Sequence, residues 1–186
     1  MQDEAIVAMY LRRDEGAVAE TERKYGGYLT AVAFNILGDI EDSRECVNEA
    51  YLRLWSSIPP HEPKSLLTYA CKIVRRLAID AYRSRRRQKR GGSEYELSLE
   101  ELGECCPGGE TPESGYEEKR LSQAINAYVR GLSSEAQTVF VQRYYYCDPI
   151  DRIASCRGMS VPKVKSMLHR IRQGLKKHLL KEGFDL

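Results

Sequence analysis

Apolar positions along the 186-residue chain recur at three- and four-residue intervals, the period of amphipathic helices. Leu66, Ala70, Ile73, Leu77 and Ala81, with Leu67, Val74 and Ala78 widening the face, predict a helix from Ser65 that runs into an Arg-rich tail ending at Arg90. Upstream, the pattern predicts a short helix over 3–13, broken by Asp14-Glu15-Gly16, and a longer one over 17–37 closed by Gly38. A third helix is expected from Asp42 to Trp55, with Asp42 as N-cap and Glu45 completing a capping box. Pro59, Pro60 and Pro63 stiffen the loop between them. Four helices with short connections make a small bundle. Downstream, helices are expected over 119–129, from Ser133, and from Pro149-Ile150-Asp151 to Gly158. A last helix follows Ser160, with the stripe Val164, Leu168, Ile171, Leu175 and Leu179. A short helix, a glycine-bearing turn and a longer helix form a helix-turn-helix, with Ala154, Gly158 and Val164 expected where the two helices pack closely.

Charge changes this picture, through its distribution and not its sum. The net charge is only +2. From Lys72 to Arg90, however, nine basic residues face one acid, a local +8, whereas Ser93 to Glu118 holds nine acids and no Lys or Arg. That acidic stretch, broken by Gly and Pro, is too polar to bury a core and reads as a flexible linker. The expected fold is therefore all-α: two small helical domains, 1–90 and 119–186, joined by an acidic linker over 91–118. Its acids are expected to lie over the adjoining +8 stretch and mask it.

The last helix carries seven Lys or Arg and no acid between Met159 and Lys181. Basic residues at its N-terminal end oppose the helix dipole and so point to an external anion. Ser160, Lys163, Lys165, Ser166, His169 and Arg170 are the candidate duplex-reading residues. The chemistry of catalysis is missing by comparison: three dispersed histidines, no phosphate-cradling glycine loop and no nucleophile motif. An enzyme is not expected, nor a cofactor or metal. Six cysteines lack C-x-x-C spacing; adjacent Cys105 and Cys106, in a loop, are the only pair to weigh for redox or metal chemistry, and the structural reading leads because no His or acid completes a ligand set. The start of the chain is acidic, without a signal-peptide pattern, and no apolar run approaches a membrane span, so a cytoplasmic protein with no membrane insertion is expected.

Specific residues now carry a resemblance. DSRECVNEAYLRLW, Asp42 to Trp55, and KIVRRLAIDAYRSRRR, Lys72 to Arg87, resemble the second conserved region of bacterial RNA polymerase sigma factors. Val139 to Leu179 looks like the fourth region. Two such regions without a large insertion are the plan of the extracytoplasmic-function (ECF) type. The resemblance implies that Glu45, Asn48, Glu49, Leu52 and Arg53 dock on a coiled coil of the largest subunit of core RNA polymerase. It implies that His61, Lys64, Lys72, Arg75, Arg76, Arg83, Arg85 and Arg86 hold and open the minus-ten promoter element. The C-terminal helix would read the minus-thirty-five element while region four leans on the flap of the second-largest subunit. An anti-sigma partner is implied by the family alone. The chain departs from the family's usual Trp at Tyr69, Asn at Arg76 and Glu at Arg152. The rival reading is a helix-turn-helix regulator acting at an operator without polymerase, which accounts for residues 119–186 and leaves Asp42 to Arg90 without a role.

Overall fold

The computed structural model describes residues 1–85, 93–106 and 115–185. Every regular element among them is a helix, so the fold is all-α. The chain divides into two compact units, Met1–Ser93 and Glu94–Leu186. No helix among the described residues is long and apolar enough to cross a membrane.

The first unit packs α1 (Asp3–Leu11), α2 (Gly16–Leu37), α3 (Ile40–Ser57) and α4 (Leu66–Arg85). Its core is formed by Ile6 and Tyr10 of α1, Leu29, Val32 and Ile36 of α2, Val47, Ala50 and Leu54 of α3, and Leu66, Ala70, Val74 and Ala78 of α4. The buried face of α4 is rotated from the expected stripe. Ile73, Leu77 and Ala81 are only half-buried, whereas Cys71 and Ile79 are buried. The helix packs on both α2 and α3, which cover it from two sides. Asp3 ties three helices together. One oxygen accepts from Lys24 Nζ at 2.7 Å and from the Tyr25 hydroxyl, and the other accepts from the Leu66 N–H at 3.0 Å. That last bond satisfies one of the orphan donors at the start of α4.

The expected capping box is corrected. α3 starts three residues before Asp42's successor, at Ile40, and Asp39 is the N-cap, accepting from the N–H groups of Glu41 and Asp42 at 3.0 Å each. The reason is local: α2 ends in left-handed Gly38, and Asp39, in extended backbone, is the first side chain able to receive the orphan donors.

The second unit contains α5 (Glu94–Gly103), α6 (Gly115–Arg130), α7 (Ser134–Phe140), α8 (Ile150–Arg157) and α9 (Val161–Lys181). α7 widens into a π-helical turn over Val141–Tyr145. Ser133 and Ser160 cap α7 and α9 by accepting from Ala136 N–H and Lys163 N–H. Val164, Leu168, Ile171, Leu175 and Leu179 are all buried, in one core with Val139, Ile153 and Ala154. The close packing expected at Gly158 is corrected: a Cβ there would meet nothing within 4 Å, and its φ of 61° is what the turn requires. The close approach is at Gly174, where an added Cβ would stand 2.2 Å from the Tyr128 hydroxyl of α6. α5 is the larger correction. The segment expected to be unstructured linker forms a helix over 94–103 that buries Tyr95 and Ser98.

Candidate nucleic-acid interface

On α3, Glu45, Asn48, Glu49, Leu52 and Arg53 follow helical spacing on the side away from Cys46, Val47, Ala50 and Leu54. All five are exposed, Leu52 by 64%. Arg53 Nε donates to Glu49 Oε1 at 3.0 Å and Arg44 Nη1 to Glu41 Oε1 at 2.8 Å. Such exposed pairs add little stability. They leave a surface of acids, an amide and a bare leucine, complementary to a basic helical partner.

The loop and α4 assemble a different surface. The His61 ring lies 6.1 Å from the Tyr69 ring with a 31° tilt, and its Nδ1 is 3.0 Å from the Ser57 carbonyl oxygen. Tyr69, Lys72, Arg76 and Arg83 continue down one side of α4 at three-, four- and seven-residue steps, and the three cations are exposed. Lys64 is exposed at the approach to the helix, whereas Arg75 sits off that line and is half-buried. α4 ends at Arg85. Arg86, with the rest of the expected phosphate grip to Arg90, lies outside the described residues. Two rings beside a row of cations can stack bases while holding phosphates.

On α9, Lys163, Lys165, Ser166, His169 and Arg170 are exposed, in the first turns of a helix whose opposite side is core. Arg170 Nε donates to the Ser166 carbonyl at 3.3 Å. The Ser160 oxygen is engaged in the helix cap, accepting from Lys163 N–H at 3.4 Å.

Sequence reasoning missed the charged cluster behind this helix. Arg143, in the π-helical turn, is 2% exposed. Its Nη1 donates to Glu94 Oε2 at 2.7 Å and to the Asp148 carbonyl at 3.1 Å, and its Nη2 to Glu101 Oε1 at 2.7 Å. Tyr144 donates its hydroxyl to Glu101 Oε2 at 3.0 Å and accepts from Arg172 Nη1 at 2.9 Å. Arg172 also reaches Glu101 Oε2 at 3.3 Å. Burial works against the Arg143 cation, but the hydrogen bonds to Glu101 and Glu94 outweigh it and hold its pKa above the usual value. Burial likewise pushes the Tyr144 phenol up. The masking expected of the acidic segment therefore has a competitor: Glu94 and Glu101, two of its nine acids, have their partners inside the second unit. One sequence signal pointed to this helix. Tyr95, Ser98, Leu102 and Cys105 repeat at three and four residues through the acidic run.

A family model described as Sigma-70 region 2 matches residues 23–88, which take in α3, the proline loop and α4. The chain is 26% identical, over its whole length, to the probable RNA polymerase sigma factor RfaY of Xanthomonas campestris pv. campestris, and it spans 47% of that protein. It is 24% identical to the ECF RNA polymerase sigma factor SigE of Mycolicibacterium smegmatis, with 89% of this chain and 63% of the relative covered. To the ECF RNA polymerase sigma factor SigW of Bacillus subtilis it is 23% identical, with 89% and 90% covered. Residues 23–88 thus match sigma-70 region 2, and the chain as a whole is similar to RNA polymerase sigma factors, two of them of the extracytoplasmic-function type. It spans between about half and two-thirds of the first two of these relatives.

Three departures of this chain from the usual residues of those sigma factors now have surroundings. Tyr69 keeps an aromatic ring in contact with His61. Arg152 stands 3.9 Å from the carboxylate of Asp148, itself only 1% exposed, one helical turn earlier in sequence. Arg76 points into solvent with Lys72 and Arg83.

Proposed function

We propose that this sigma factor binds core RNA polymerase and directs promoter-specific transcription initiation, with residues 1–90 acting as region two, 91–118 as the connection and 119–186 as region four. The α3 face (Glu45, Asn48, Glu49, Leu52 and Arg53) docks on the coiled coil of the largest subunit, and region four leans on the flap of the second-largest. The observation that carries this reading is the pairing of two unlike cationic surfaces in one chain. One joins the His61 and Tyr69 rings to Lys64, Lys72, Arg76 and Arg83. The other is a bare recognition helix with Lys163, Lys165, Ser166, His169 and Arg170 outward. Rings beside cations suit separated strands, where unstacking a base costs a few kcal/mol that stacking and phosphate contacts return. A cationic helix after a tight turn suits duplex in the major groove. The first surface therefore opens the minus-ten element and the second reads the minus-thirty-five element.

Reconstitution tests this. Purified protein and core polymerase should initiate at a specific promoter. Arg83, Arg85 and Arg86 changed together to Ala should abolish strand opening, read by the reactivity of unpaired thymines, while polymerase binding persists. Leu52→Ala should instead weaken polymerase binding. Tight binding to a DNA site without any association with core polymerase would replace this reading with that of an operator-binding regulator.

A further inference from the structure

The two adjacent thiols that close α5 have a geometry unlike that of the other four cysteines. Cys46 and Cys71 are buried in the first unit's core, Cys147 is buried against Ser98, and Cys156 is exposed and alone. At 105–106 the chain turns sharply after α5, with both N–H groups donating to the Leu102 carbonyl at 2.9 Å. Cys105 is 2% exposed, packed into the core that contains Ile171, Leu175 and Leu179 of α9. Cys106 is half-buried at the edge of the same core. The Cys105 thiol donates to the Leu102 carbonyl at 3.2 Å, and the Cys106 thiol is its immediate neighbour in the chain. One sulfur is thus reachable from solvent, and that of the adjoining residue is sealed from it.

We propose that Cys105 and Cys106 form a redox modification site that takes a hydroperoxide as oxidant and closes to a reversible disulfide between neighbouring residues. Cys106 acts first. Its sulfur is the one that solvent and a small oxidant reach, and the neighbouring Cys105 thiol lowers its pKa against the burial that opposes this, so the thiolate forms on the half-buried sulfur. The Cys106 thiolate attacks the distal peroxide oxygen. The O–O bond breaks, the sulfur is oxidised by two electrons to the sulfenic acid, and the alkoxide or hydroxide leaves and takes up a proton. The Cys105 sulfur then attacks the Cys106 sulfur. The S–S bond forms, the S–O bond breaks, and the Cys105 proton departs with the hydroxyl as water. Adjacent Cα atoms are about 3.8 Å apart, shorter than the roughly 4.4–6.8 Å that a relaxed disulfide spans. The product is therefore strained and readily reduced, a property of regulatory disulfides more than of structural ones. Nothing in this assignment depends on the polymerase or promoter reading.

The test uses the full reduced chain, treated with an equivalent of hydrogen peroxide at neutral pH, alkylated and mapped by peptide mass. The expected result is a loss of about 2 Da and of both alkylation sites in the peptide carrying Cys105 and Cys106, restored by dithiothreitol. Cys105→Ser should leave a Cys106 sulfenic acid that dimedone captures, and Cys106→Ser should leave Cys105 alkylatable after peroxide. The proposal is overturned if both thiols of the wild-type chain remain alkylatable while Cys156 is oxidised, or if Cys105 is oxidised equally in Cys106→Ser. The wild-type peptide map decides the matter even where a variant at buried Cys105 fails to fold.

Discussion

The two units solve the same problem, packing four or five short helices, with opposite uses of charge. In the first, Ile6, Leu29, Val47, Leu54 and Val74 fill the core, and Lys72, Arg76 and Arg83 of α4 are exposed. In the second, a fully buried guanidinium stands beside the apolar core, and two carboxylates of α5 reach in to neutralise it. Counting basic residues therefore measures different things in the two places. In α4 it approximates the cationic surface offered to solvent. In α9 it overstates that surface, because Arg172 is held by Glu101 and the Tyr144 hydroxyl.

The strongest way to break this contrast is Arg143→Ala. It leaves Glu94, Glu101 and the Asp148 carbonyl without their donor and opens a hole in the π-helical turn, and removing one member of a buried ion pair costs about 3 kcal/mol or more. Chemical denaturation followed by circular dichroism should show the second unit melting earlier and the first unchanged. If charge serves only internal neutrality here, the triple change Arg143→Met, Glu94→Gln and Glu101→Leu should recover much of the loss. No recovery would mean that the network fixes a geometry which apolar packing cannot replace.

A second comparison lies within α9. Arg170 is exposed, so Arg170→Ala should lower duplex DNA affinity and reduce the slope of binding against salt by about one unit, with unfolding unchanged. Arg172→Ala should do the reverse, lowering the stability of the second unit while leaving the salt slope close to that of the wild type. Equal effects of the two on DNA binding would show that α5 releases Arg172 when DNA is bound.

What could be read from sequence, and what could not, follows the same division. The stripe of α9 was legible because five apolar residues at helical spacing all meet one core. The stripe of α4 was legible in outline only, since a helix covered from two sides buries more than a single-face pattern predicts, Cys71 and Ile79 included. The outward side chains of α3 and α9 were found because solvent-facing residues obey periodicity directly. α5 was misread because acids in a glycine- and proline-bearing stretch look solvated. Their partner Arg143 lies 42 and 49 residues away, where no local rule connects them. Asp39 was missed for a smaller reason: two acids compete to cap α3, and only the exit angle set by Gly38 decides between them.

The smallest expected effect fades at acid pH and concerns the carboxylate by which Asp3 ties α1 to α2 and α4. Burial pushes the Asp3 carboxyl up, but hydrogen bonds from Lys24, Tyr25 and the Leu66 N–H outweigh it and leave the pKa below the ordinary carboxylate value of 3.8. A carboxyl more acidic in the folded than in the unfolded chain stabilises the fold fully above its unfolded pKa. That contribution fades as pH falls through the folded value. Asp3→Asn should therefore destabilise the first unit at neutral pH, where the carboxylate is lost as acceptor and partner to Lys24. As pH falls through that lowered value the two proteins should converge, because the wild-type carboxyl then becomes protonated as well. Midpoints of urea unfolding measured from pH 2 to 7 would show the curves meeting at the acid end. A constant gap across that range would mean that Asp3 holds α1, α2 and α4 together by its shape and neutral hydrogen bonds, and that this tie does not depend on charge.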